Sequence, residues 1–134
     1  MKLTPAMIAV CLALTTPAIA QEPGETVTPT FEHALPNVPG KSLKAVIVDY
    51  PPGAKSSPHT HANSAFIYAF VVSGAIETQV AGEAPRVVRA GESFDELPGA
   101  HHVVSRNASA TAPARLLAVF VVDTGDRALT TPDK

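Results

Sequence analysis

Four of the five histidines of this 134-residue chain lie in two short stretches, GAKSSPHTH at residues 53–61 and GESFDELPGAHH at residues 91–102. Side chains at i and i+2 of an extended chain point to the same face, so His59 and His61 can present two imidazoles to one point. In the His101-His102 pair only one ring can face that point. Imidazole is a common transition-metal ligand, but the two clusters taken alone are equally compatible with solvated histidines.

The remaining sequence alternates short apolar runs with turns, and the chain contains 13 Pro and 8 Gly. No helical period interrupts this pattern, which is typical of an all-β sandwich or small barrel. The predicted strands are a short edge strand at 27–31 and seven further strands at 42–50, 65–72, 75–80, 86–89, 93–97, 101–105 and 115–122.

The first twenty residues have the order of a secretory signal. Lys2 is followed by an apolar run at 6–14 and by Ala18-Ile19-Ala20, which predicts cleavage after Ala20 and a secreted or periplasmic protein. The alternatives are a retained membrane anchor and lipid attachment at Cys11. We expect a Pro-rich N-terminal arm at 21–40, a β-barrel at 41–122 and a C-terminal surface tail at 123–134.

The composition limits the kinds of partner that this protein is expected to bind. The formal net charge is −2, and the arginines of the predicted barrel are scattered, so nucleic acid is an unsuitable partner. Once the signal is cleaved we expect no membrane association. The single cysteine, Cys11, leaves with the signal, so the mature chain has neither a disulfide nor a thiolate ligand.

The histidines and the glycines around them resemble the cupin family, whose two motifs read G-x5-H-x-H-x3,4-E-x6-G and G-x5-P-x-G-x2-H-x3-N. Gly53 is followed by five residues and then by His59-Thr60-His61, and Gly74 closes the hairpin. Gly91, Gly99 and His102 match the second motif in register. The resemblance implies a double-stranded β-helix, or jelly-roll, barrel. It selects His59, His61 and His102 as metal ligands and leaves His101 outside.

The sequence departs from these motifs at three points. No carboxylate occurs between His61 and Gly74, Leu97 replaces the first proline of the second motif, and Asn107 comes one residue late. Side chains that could complete the site are Glu96, near the mouth of the barrel, and Tyr68, Glu77 and Gln79 on the hairpin. For each of these four residues the favoured interpretation is an ordinary surface or edge position.

The resemblance implies one divalent transition metal (Fe, Mn, Zn, Cu or Ni) and a small-molecule ligand or substrate. Our first hypothesis is a dioxygenase-like, metal-dependent oxygenase, for which the sequence assigns no catalytic residue. The alternative is a non-catalytic periplasmic module that binds a ligand or handles metal. Cupin barrels commonly pair through an added N-terminal strand, so residues 27–31 favour a homodimer, with a monomer as the alternative.

Overall fold

A computed structural model describes residues 24–134, which form an all-β barrel. The predicted signal at residues 1–20 lies outside the described residues. The strands are β1 (Thr26–Ala34), β2 (Lys41–Tyr50), β3 (His59–His61), β4 (Phe66–Ser73), β5 (Ala75–Val80), β6 (Arg86–Arg89), β7 (Ser93–Glu96), β8 (His101–Asn107), β9 (Ala114–Asp123) and β10 (Thr130–Pro132). No helix long and apolar enough to cross a membrane occurs in this part of the chain.

The strands form two antiparallel five-stranded sheets. Sheet A has the order β1-β2-β9-β4-β7, and sheet B has the order β10-β3-β8-β5-β6. Consecutive strands repeatedly pass from one sheet to the other, as in the predicted double-stranded β-helix. The eight predicted strands all form, as β1, β2 and β4 to β9, within a few residues of the expected ends.

The core lies between the inner faces of the two sheets. Alternation places every second residue of β2, β4 and β9 inside, and Ile67, Val71 and Val122 are among the most fully buried side chains. Sheet B contributes Ile76 and Val88 to the same cluster. The chain contains no tryptophan, and small and β-branched residues therefore fill much of the barrel.

The two chain ends add edge strands to the barrel. In the predicted arm, β1 pairs with β2 over its whole length and lies exposed at the edge of sheet A. In the predicted tail, β10 pairs with β3 and so lies directly beside His59 and His61. Leu129 packs against the core, and Asp133 Oδ2 lies 2.8 Å from His101 Nε2, within hydrogen-bond distance.

Candidate metal centre

Three histidines meet on the inner face of sheet B because β3 and β8 are neighbours. His59 pairs with His102 across the two strands, and His61 follows His59 by two residues on the same face. The ring centroids are separated by 4.8 Å for His59 and His61, 5.2 Å for His59 and His102, and 5.9 Å for His61 and His102. Each ring offers a nitrogen within 4.8 Å of the others, so this cluster can hold a metal ion.

The two adjacent histidines of β8 face opposite sides of the strand. His102 is only 4% exposed and belongs to the cluster. The His101 ring is turned away and contacts Asp133 near the C-terminus. The pair therefore contributes one inward and one outward ring, as alternation along a strand requires.

Glu96 is the carboxylate of the cluster. Its Oε2 lies 3.0 Å from His61 Nε2 and 3.2 Å from His102 Nδ1, and the side chain is 4% exposed. Sequence analysis left Glu96 among several candidates because the motif glutamate belongs elsewhere. Glu96 became a candidate because it lies just before the Pro98-Gly99 turn, and alternation with Phe94 is the signal that could have placed it on the buried face of β7.

Glu96 reaches the centre from a different strand than the motif glutamate would. Counted forward from His61, the glutamate of the first motif falls on Ala65 or Phe66, and counted back from Gly74 it falls on Ile67. Of the two that belong to β4, Ile67 is the one on the inner face. Ile67 pairs directly with Glu96 across β4 and β7, and both side chains are buried beside the same cavity. Directly opposed residues of an antiparallel pair have Cβ atoms about 5 Å apart. A carboxylate therefore lies beside the position from which the motif carboxylate is missing.

The other three candidates point away from the cavity. Tyr68 lies on the outer face of β4 and is 44% exposed. Glu77 forms an outward ion pair with Arg106 at 2.6 Å, and the Gln79 amide donates to the Glu83 carbonyl at the hairpin end. Alternation explains all three, because the buried residues of β5 are Ile76 and Thr78.

The turn between Glu96 and His102 requires glycine at position 99. Gly99 has a φ of 72°, and an added Cβ would lie 2.7 Å from Asn63 Oδ1. Asn63 belongs to the loop that follows His61. This close approach holds the loops that carry the two halves of the cluster against each other.

A β-bulge accounts for the late asparagine of the second motif. Gln79 pairs with Val104 but Val80 pairs with His102, so Val103 is an extra residue in β8. After the bulge, Ser105 and Asn107 point inward together with His102. The Asn107 amide then donates to the carbonyl oxygens of Pro51 and Ala112, at 3.1 and 2.7 Å, and ties the loops together.

Outer hydrogen bonds orient two of the three rings. His59 Nδ1 donates to the Ser57 carbonyl oxygen at 2.8 Å, which leaves Nε2 as the free nitrogen. His102 Nε2 lies 2.8 Å from Thr78 Oγ1, which leaves Nδ1 on the side of Glu96. Partners of this kind fix the tautomer and orientation of metal-binding histidines.

Burial keeps the His102 ring neutral. Loss of solvation is the main cause that lowers the pKa of His102 to about 4, and it outweighs the opposing attraction of the Glu96 carboxylate. Burial alone would raise the pKa of Glu96, but the closeness of His61, His102 and His59 holds that pKa below its ordinary value of 4.5. At neutral pH His102 is therefore able to donate a lone pair, and Glu96 carries a negative charge.

The cluster leaves polar atoms that the protein does not satisfy. His61 Nδ1, His61 Nε2 and Glu96 Oε2 are buried without a hydrogen-bond partner. His61 Nε2 and Glu96 Oε2 are close, but they do not have the alignment of a hydrogen bond. Buried polar atoms rarely remain unpaired, so a cation or an ordered water bound at this pair would satisfy them.

The cluster opens into a cavity of about 310 Å³ inside the barrel. Its wall is mainly apolar and includes Val48, Leu116 and Phe120 of sheet A. Val27 of β1 and Thr130 of β10 border it, so the two edge strands frame the cavity. An adjoining groove of about 580 Å³ shares Ser56 and Ser105 with this cavity and contains Lys55, Glu77 and Arg106 but none of the clustered histidines.

Comparison with known proteins identifies the family. The family model for the cupin domain matches residues 46–120, which is more than half of the chain, and this protein therefore belongs to the cupin family. No curated protein matches the chain.

Solved structures share the fold at low sequence identity. A protein from Thermus thermophilus is 25% identical with a TM-score of 0.57, and the match covers 74% of this chain and 84% of that one. An oxalate oxidase in complex with the substrate analogue glycolate is 25% identical with a TM-score of 0.58, covering 81% of this chain and 59% of that one. A DMSP lyase from Ruegeria pomeroyi is 26% identical with a TM-score of 0.56, covering 69% of this chain and 45% of that one.

This chain thus spans less than two thirds of the oxidase and less than half of the lyase. The similarity to these two enzymes extends over the barrel and leaves the remainder of each enzyme unmatched.

Proposed function

We propose that this protein is an exported cupin that binds one divalent metal through His59, His61 and His102, with Glu96 as a fourth protein ligand. We further propose that it is a metal-dependent oxygenase acting on a small organic molecule. The observation that carries the proposal is the convergence of three imidazoles and one carboxylate on an apolar cavity, with buried atoms that lack hydrogen-bond partners. The sequence of the first twenty residues supports export.

The spacing and charge of the cluster suit a divalent ion. Two ligands that each lie about 2.1 Å from one metal are at most about 4.2 Å apart. The cluster nitrogens lie within 4.8 Å of one another, so small side-chain rotations would bring them into range. The Glu96 carboxylate would offset part of the ion's charge in a buried site. Three nitrogen donors and one oxygen donor are compatible with all five candidate metals, and the metal is left open.

The protein's own groups would position the ion and its ligands. His59 would bind through Nε2 and His102 through Nδ1, since Ser57 and Thr78 occupy their other nitrogens. A bound metal would supply Lewis acidity and open positions for a substrate oxygen or for dioxygen. The apolar wall, including Leu116 and Phe120, would exclude bulk water and so strengthen electrostatic interactions at the site.

Metal content is the first test. The chain from Gln21 onward, purified without a histidine tag, is compared with a His59→Ala/His102→Ala double variant and with His101→Ala as the matched control. We expect near-stoichiometric metal in the parent and in His101→Ala, because His101 lies outside the cluster. The double variant should lose the metal. Absence of metal from the parent protein after reconstitution with each candidate ion would contradict the proposal.

Turnover is tested separately on the metal-loaded protein. Dioxygen consumption is recorded in the presence of small carbonyl and enol compounds, with the double variant as the blank. Consumption that depends on both the compound and the histidines supports an oxygenase. Metal binding without consumption of dioxygen or compound would favour the alternative, a non-catalytic module. Export is checked by finding the chain outside the cytoplasm with Gln21 at its N-terminus.

A further inference from the structure

A second polar cluster lines the cavity, and the proposed metal chemistry does not use it. The Tyr50 hydroxyl lies 2.8 Å from Ser56 Oγ and 2.9 Å from Ser105 Oγ. Tyr50 is 2% exposed and Ser105 is 5% exposed, and all three residues border the cavity that contains the histidines. We call these three residues the hydroxyl cluster.

The β8 bulge brings this cluster into the cavity. His102 and Ser105 are three residues apart, so in a regular strand they would point to opposite faces. The extra residue at Val103 reverses the alternation, and both side chains point inward. Bulges are frequent beside active sites, where they change the direction of a side chain. The backbone amide of Ser56 also donates to the Ser105 carbonyl at 2.9 Å, which holds the two serines together.

The hydroxyl cluster has more donors than its own bonds can use. Three hydroxyl groups supply three hydrogen atoms, whereas the cluster contains two hydroxyl–hydroxyl contacts. One O–H therefore remains to donate to another acceptor. Burial is the main cause that raises the pKa of Tyr50, so its phenol keeps its proton at neutral pH. A ligand atom that accepts a hydrogen bond would pair the remaining donor.

The charged side chains that border the cavity itself select against an anionic ligand inside it, whereas Lys55 and Arg106 lie in the adjoining groove. Among the described residues that border the cavity, the only carboxylates are Glu25 and Glu96, and no lysine or arginine is present. A carboxylate or phosphate group of a ligand bound beside the hydroxyl cluster would be buried without a cationic side chain as partner, which costs free energy. The remaining wall is aliphatic and aromatic and suits an apolar body.

We propose that Tyr50, Ser56 and Ser105 form a subsite that binds the carbonyl, ether or hydroxyl oxygen of a small uncharged ligand with an apolar body. The subsite defines the class of ligand that the cavity described above would bind. The inference rests on the proposed function only for the chemistry at the three histidines.

A matched pair of probes tests the subsite. Cyclohexanone and methylenecyclohexane have nearly the same shape, and only the ketone accepts a hydrogen bond. Their dissociation constants are measured by NMR titration of the chain from Gln21 onward, both metal-loaded and chelator-treated. One hydrogen bond of about 1.4 kcal/mol corresponds to about tenfold in affinity, so we expect the ketone to bind about tenfold more tightly in both forms.

Variants assign that preference to the cluster. In Tyr50→Phe/Ser56→Ala/Ser105→Ala all three donors are removed and apolar groups of similar shape remain, so the preference should fall to within about twofold. The control is Ser42→Ala, which removes a buried hydroxyl bonded to Thr124 at 2.8 Å and leaves the cavity wall unchanged. Intermolecular NOEs from cyclohexanone to the Tyr50 ring give a second readout that needs no variant.

Each outcome decides the inference. Equal affinity of the two probes in the parent protein, or no detectable binding of the ketone, would overturn it. So would a ketone preference that survives in the triple variant, or NOEs to Phe120 without any to Tyr50. Because the chelator-treated form is measured, a ketone preference in a protein that retains no metal would support the subsite and contradict only the metal proposal. Metal binding in a protein that shows no preference for the ketone would support the metal proposal and contradict the subsite.

Discussion

The two sheets that enclose the cavity contribute different chemistry to it. Sheet B places three histidines inside, together with Thr78 and Ser105. Sheet A faces them with aliphatic and aromatic side chains, among them Val48, Leu116 and Phe120. Sheet B thus supplies the histidine ligands, and sheet A supplies an apolar wall that excludes water and so strengthens electrostatic interactions at the site. The polar exceptions on sheet A are the Tyr50 hydroxyl, at the end of β2, and Glu96, whose strand β7 lies at the sheet edge.

Removal of Glu96 tests the second of these exceptions and has the largest expected effect. Glu96→Ala should lower metal affinity by on the order of 100-fold, the upper part of the range for groups that support a metal site. Glu96→Gln keeps a neutral oxygen donor and should lose less. Isothermal titration with Zn²⁺ measures both. The control is Asp95→Ala, an exposed carboxylate on the same strand. An affinity for Glu96→Ala within twofold of the parent would show that sheet B alone holds the ion.

Acid should destabilise the metal-free protein. The pKa of His102 is about 4 in the folded protein and about 6.5 when unfolded, so between these values the unfolded state binds more protons. The free energy of unfolding should therefore fall as pH decreases from 6.5 towards 4, by at most about 1.4 kcal/mol per pH unit from this group. The pKa of Glu96 is below 4.5, so its contribution is lost only at lower pH.

Urea unfolding of chelator-treated protein at several pH values measures this dependence. His102→Gln should flatten it, and His33→Gln, which changes an exposed histidine of β1, should leave it unchanged. A free energy of unfolding that stays constant or increases as the pH is lowered from 6.5 to 5 would be inconsistent with a buried neutral His102.

Thr78 tests how far sheet B orients its own ligands. Thr78→Val keeps the shape of the side chain and removes the hydroxyl that lies 2.8 Å from His102 Nε2. We expect metal affinity to fall by about tenfold, the lower part of the range for such partners. The control is Thr60→Val on β3, between the two ligands but on the opposite side of the strand. An equally large loss of metal affinity in Thr60→Val would mean that the substitutions had altered strand β3 or β8 and not the orientation of the His102 ring.

The outer face of sheet A carries exposed aromatic side chains, which bear on whether the protein forms a homodimer. Phe31, Phe66 and Tyr68 are 54%, 42% and 44% exposed, and strand pairing aligns them on one side with Val119 and Val121. The homodimer expected from the sequence stays a prediction, and Phe66→Ser/Tyr68→Ser should shift it towards monomer. Sedimentation equilibrium measures the shift, with Val87→Ser of sheet B, 42% exposed, as the control. A parent protein that is monomeric at all concentrations would contradict the prediction.

Sequence reasoning predicted the barrel and the three histidines because both depend on short periodic patterns. His59 and His61 share a face by alternation, and the glycines fix the register that selects His102. Two features could not be assigned from the sequence, although it offered Glu96 as a candidate. Glu96 joins the cluster through the pairing of β7 with β4, and Ser105 turns inward only because Val103 is an extra residue in β8. Both depend on strand register across the sheets, which the pattern along a single strand does not contain.

The most direct measurement is an anomalous difference map from a crystal of the metal-loaded chain, recorded on both sides of the absorption edge of the bound metal. We expect one strong peak in contact with His59, His61, His102 and Glu96 Oε2. A peak bound instead at the exposed pair His101 and Asp133, or one at the cluster from which Glu96 has turned away, would contradict it.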